Sequence, residues 1–161
     1  MKKTILGLLL FAGILFADNT FAGKIMLLEQ NATDPAYDLP LNKQAYQKWL
    51  CEATLKNGKK VQFISVKSMM QAYFHQDYFK RHNLLESVID TLYVQDFISG
   101  QKIDAAKAVY VFGSRMVGPH GDDLIPFSSN ENAKLFMMKN GGTKILPYTK
   151  LTKGLIRYLD M

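Results

Sequence analysis

Cysteine is nearly missing from this chain. Of 161 residues only Cys51 carries a thiol, so no internal disulfide can form. That thiol must be buried and inert, joined to another molecule, or a ligand for a soft metal. Several site motifs are missing as well. There is no Gly-x-Ser-x-Gly elbow, no P-loop and no dinucleotide fingerprint, which excludes the chemistry those loops support. Ser114 follows Gly113, but no glycine stands two residues later. The three histidines, His75, His82 and His120, lack the spacing of a zinc pair on one helix. Asp122 and Asp123 are adjacent acids whose side chains diverge, and they read as part of a solvated loop. The chain therefore reads as a non-enzyme. No basic cluster is interleaved with aromatics, which argues against nucleic acid. Low-complexity tracts and sequence repeats are absent too.

The first residues have a different character. Lys2 and Lys3 precede an apolar run from Ile5 to Ala17, and small residues stand at the last and third-last places before Gly23. This is the pattern of a secretory signal peptide, and the run is short for a membrane span. Cleavage is expected after Ala22. The mature chain, residues 23–161, is the size of one domain with its own core. The net charge of +6 falls to +5 once Lys2, Lys3 and Asp18 are removed. This mild basic excess favours acidic partners or an anionic membrane face.

Residues 23–45 read as irregular chain, with prolines at 35 and 40. Regular structure is expected from Trp49 to Leu55, turning at Asn57-Gly58 and returning from Val61 to Ile64. That turn would set Ile64 across from Cys51. Ser65 caps a helix whose stripe is Val66, Met69, Met70, Tyr73 and Phe74, running on to about Lys80. Strands follow at Thr91 to Phe97 and Ile103 to Phe112. Ser128 and Glu131 have capping-box spacing. The helix they open carries Ala133, Phe136 and Met137 and stops at Gly141-Gly142. A strand from Lys144 to Tyr148 and a terminal helical turn complete the chain. The repeated order is strand, strand, helix, strand. Antiparallel hairpins with helices laid over one face make an α+β fold.

One stretch departs from this pattern. Residues 113–127, GSRMVGPHGDDLIPF, hold three glycines and two prolines around Met116 and His120. Gly118, Pro119 and Gly121 restrict the loop and bring its backbone close to neighbours. Thioether and imidazole suit Cu(I), with thiolate as the usual third ligand. The ordinary alternative is a packed methionine and a solvated histidine. For Cys51 the alternation with Trp49, Ala53 and Leu55 favours a buried thiol.

From Tyr46 to Phe127 the chain resembles the NosL family, exported accessory proteins of nitrous oxide reductase. The resemblance rests on Tyr46-Gln47-Lys48-Trp49, Lys56-Asn57-Gly58-Lys59 and the run from Phe63 to Met70. It is most specific from Ile103 to Phe127, ending in Gly118-Pro119-His120-Gly121-Asp122-Asp123. It implies a fold of strand-strand-helix-strand units over residues 46–161. It also implies a periplasmic Cu(I) carrier, with Met116 and His120 facing the metal. The implied partners are nitrous oxide reductase or its copper-loading transporter machinery, with docking to a membrane complex. Two departures stand out. Where the family carries Cys-Gly-Met ahead of the tryptophan, this chain has Leu39-Pro40-Leu41. Where the family loop reads Gly-Pro-Met-Gly, His120 replaces the methionine. A His–Met pair without thiolate holds Cu(I) less firmly, and acid weakens it as imidazole protonates. The second expectation is a family-fold scaffold of the same pathway that has lost the copper site.

Overall fold

The first hairpin shows how one residue sets a register. Strand β1 (Cys51–Leu55) pairs antiparallel with β2 (Lys60–Phe63), and Cys51 faces Phe63. The expected partner was Ile64. The turn has three loop residues, Lys56-Asn57-Gly58, closed by the Gly58 amide on Leu55 O (2.8 Å), and the Leu55 amide donates to Lys59 O. Only Gly58 takes positive φ, 81°, as at the end of a three-residue loop with a bulge. The extra residue slides β2 by one position. Phe63 thereby joins Cys51 in the core, while Ile64 goes to a separate cluster with Leu41 and Leu50.

The computed structural model of the chain describes residues 25–29 and 31–161. The expected signal peptide lies outside the described residues. Among them, no helix is long and apolar enough to cross a membrane.

Ser65 caps helix α1 (Val66–Phe74), its side chain accepting from the Ser68 amide. The helix does not run on to Lys80. It breaks at His75, and a short helix α2 (Gln76–Arg81) follows. Strand β3 (Ile89–Gln95) then pairs with β1, and β4 (Lys102–Asp104) pairs with β3. The continuous strand expected from Ile103 to Phe112 is instead two strands in different sheets. Asp104 accepts from the Ala106 amide (2.9 Å) and caps a 3-10 turn at Ala105–Lys107. Strand β5 (Val109–Phe112) starts after that turn. Its partners are β6 (Ile125–Phe127) and β7 (Lys144–Pro147), giving sheets ordered β2-β1-β3-β4 and β6-β5-β7. Strand β6 was hidden in the sequence by Pro126, which is tolerated because β6 is an edge strand.

Helix α3 (Asn130–Asn140) is capped by Ser129, which accepts from the Asn132 amide (3.2 Å). The Ser128–Glu131 capping box expected from spacing therefore does not form. The Ser128 amide is engaged elsewhere, donating to Asp96 Oδ2 (2.6 Å). Helix α4 (Lys153–Leu159) closes the fold and packs on α1. Strand β5 feeds two cores from its two faces. Tyr110 enters the larger one with Cys51, Phe63 and Met69, and Val111 joins Trp49, Ile125 and Phe127 under α3.

The repeated order of elements is a structural repeat. Units β1-β2-α1-β3 and β5-β6-α3-β7 each place their first strand centrally, flanked by its hairpin partner and the strand after the helix. An aspartate serves each unit in the same way. Asp34 Oδ1 accepts from the amides of Ala36 (2.9 Å) and Tyr37 (2.8 Å), and Asp96 Oδ1 from those of Ile98 (3.0 Å) and Ser99 (2.8 Å). Their Oδ2 atoms take the amide just before each helix cap, Ile64 (2.9 Å) and Ser128 (2.6 Å). The irregular segment around Asp34 is thus tied into the core, and Leu41 is fully buried. The units differ in the hairpin. Residues 56–59 join β1 to β2, whereas residues 113–124 join β5 to β6.

Candidate functional site

The long loop between β5 and β6 contains the glycine- and proline-rich stretch, and three anchors brace it. The Arg115 amide donates to Asn140 O (3.0 Å), tying the loop to the end of α3. At its tip the Gly118 amide donates to Gly121 O (2.8 Å), closing a turn that carries Pro119 and His120. Gly118 is a packing requirement. A Cβ there would lie 3.0 Å from Asp123 Cβ and 3.4 Å from the Trp49 ring. Farther along, Asp123 Oδ1 accepts from the amides of Lys67 (2.9 Å) and Leu124 (2.8 Å), pinning the loop to the start of α1.

Under the tip lies a group of charged and polar side chains that motif reading did not find. The Lys67 side chain is buried, and its ammonium donates to His120 O (2.6 Å) and Leu159 O (3.0 Å). One cation thereby clamps the loop to the C-terminal end of α4, where helix carbonyls favour positive charge. Asp160 lies 3.5 Å from that ammonium. It also accepts from the Tyr37 hydroxyl (2.8 Å) and the Gln71 side-chain amide (3.2 Å). Burial and the neighbouring Asp160 push the Tyr37 phenol well above its usual range. The His120 ring stacks on Tyr37 with centroids 3.9 Å apart, and its Nδ1 faces Asp160 Oδ1 at 3.7 Å. About half of the His120 side chain remains open to solvent.

The two adjacent acids part ways. Asp122 is exposed, as the solvated-loop reading expected, but Asp123 is buried. Burial raises its carboxyl from 3.8 to about 6. The Ser65 hydroxyl, the two amides and the Lys67 charge offset that only in part. Asp123 Oδ2 has no hydrogen-bond partner among the described residues. Sequence alone could not separate Asp122 from Asp123, because partners 56 residues apart decide it.

The expected metal-facing residues sit on two neighbouring cavities. His120 lines a cleft of about 370 Å³ with Lys67, Asp122 and Asp160. Met116 lines a narrower cavity of about 140 Å³ with Ser114 and Asp123, and it packs half-buried against the Trp49 cluster. Asp122, Tyr158 and Leu159 form walls of both. Cys51 is fully buried in strand β1. Burial, then the charges of Asp123 and Asp34, push its thiol well above its ordinary value, so it stays protonated. His75 and His82 are exposed and lie outside both cavities. Among the described residues, no group of three or more His, Cys, Asp and Glu side chains is arranged to hold a metal ion.

Fold and site together define a two-sheet α+β protein that offers one solvent-facing imidazole from a braced hairpin loop. The chain belongs to the NosL family, whose model matches residues 40–156. Its fold is similar to the crystal structure of the copper chaperone NosL from Shewanella denitrificans. That similarity has a TM-score of 0.61 at 17% identity and covers 82% of this chain and 98% of the other. The solution structure of apo-NosL from Achromobacter cycloclastes matches at TM-score 0.45 and 24% identity, covering 66% of this chain and 87% of that one. A sequence search of curated proteins finds no match.

Proposed function

We propose that the protein is an exported accessory protein that binds Cu(I) in the periplasm. From there it delivers the ion to nitrous oxide reductase or to the transporter machinery that loads it. Family membership supports this, as does a fold shared with a protein described as a copper chaperone. The observation that carries the reading is the setting of His120. A ligating imidazole is usually oriented by a carboxylate near its other nitrogen, and the Asp160 carboxylate lies 3.7 Å from Nδ1, close by but longer than a hydrogen bond. Tyr37 supports the ring face. His120 would act as a neutral ligand from the open cleft, and Met116 would add a thioether from the adjoining cavity. Without thiolate the ion is held loosely, which suits a carrier that must release its cargo.

The test is an anaerobic competition for Cu(I) between the full chain and a chromophoric chelator. His120→Ala is expected to weaken binding at least tenfold, about 1.4 kcal/mol. Unchanged affinity would remove the loop from the function.

A second reading is favoured by a specific observation. Leu41, at the place counted for the family's methionine, is sealed in the core beside Leu50 and Ile64. The chain would then be a docking scaffold of the same pathway. Partner association with no copper taken up at micromolar concentration would decide for the scaffold.

A further inference from the structure

Met161 lies on the same cleft as His120, 41 residues away in sequence. Met161 is 97% exposed, in contrast to the half-buried Met116. The two residues arrive from different elements, the β5–β6 loop and the end of α4. Lys67 holds those elements together. It donates to the carbonyl of His120 itself (2.6 Å) and to Leu159 O (3.0 Å), two residues before Met161. Asp122 and Asp160 also line the cleft, against the single ammonium of Lys67. This excess of carboxylates favours a cation. Thioether and imidazole together select a soft ion, whereas a hard divalent ion needs more oxygen ligands than two carboxylates supply.

We propose that Met161 supplies a thioether to a soft-metal site centred on His120, taking Cu(I) or its redox-inert analogue Ag(I). The inference rests on the copper reading above and adds a ligand that the motif did not contain. The experiment uses the full chain labelled with ¹³C at the methionine ε-methyls. On titration with Cu(I), the Met161 methyl, assigned through Met161→Leu, is expected to shift in step with the first equivalent. In chelator competition Met161→Leu is expected to lose at least tenfold in affinity. A Met161→Leu affinity within twofold of the parent, with a stationary Met161 methyl and a weakened His120→Ala, would overturn this site and leave the copper reading intact. If the parent chain takes up no Cu(I), both fall.

Discussion

Replacing Asp123 with asparagine tests the electrostatics beneath the loop. Burial raises this carboxyl from 3.8 to about 6. Each unit of such a shift corresponds to about 1.4 kcal/mol, so burying the charged form costs the native state about 3 kcal/mol at neutral pH. A raised carboxyl means that the native state binds more protons than the unfolded chain between pH 4 and 6. Its contribution is therefore fully present below pH 4 and is lost as pH rises through 6. Between pH 7.5 and 5.0 the native chain should recover about 1.4 kcal/mol. The amide introduced by Asp123→Asn would keep an oxygen for the Lys67 and Leu124 amides and carry no charge. The variant should then be more stable than the parent by up to about 3 kcal/mol at pH 7.5, an appreciable part of the roughly 5–15 kcal/mol of a typical domain. The gap should narrow at pH 5.0. Urea unfolding of both proteins at the two pH values measures it, and other titrating groups cancel in the difference. A variant less stable than the parent at pH 7.5, with a gap independent of pH, would refute the reasoning.

Two further outcomes follow from the fold. Ser129→Ala should cost about 1 kcal/mol in urea unfolding through loss of the α3 cap. Cys51 should resist a thiol reagent in the native protein and react at once in urea, since it is fully buried and protonated. Prompt labelling of the folded chain would contradict its placement in β1.

The sequence showed most of the element order because periodicity and turn residues act locally. The α1 cap at Ser65 and the stop at Gly141 were legible for that reason. Errors arose where distant partners decide. The Ser128–Glu131 spacing looked like a cap, but Asp96 takes the Ser128 amide and the helix begins one residue later. Strand β6 was hidden by its proline, because its edge position is set by the whole sheet. At the site, the loop and His120 could be read from glycine and proline spacing. Lys67, Tyr37 and Asp160 could not, as each looks like an ordinary surface residue until the fold brings α1, α4 and the N-terminal loop together.

The central claim is that His120 presents an imidazole to copper. X-ray absorption at the copper edge of the Cu(I)-loaded full chain addresses it most directly. Imidazole scattering is predicted in the parent protein and should disappear in His120→Ala. A copper spectrum identical in the two proteins would contradict the claim.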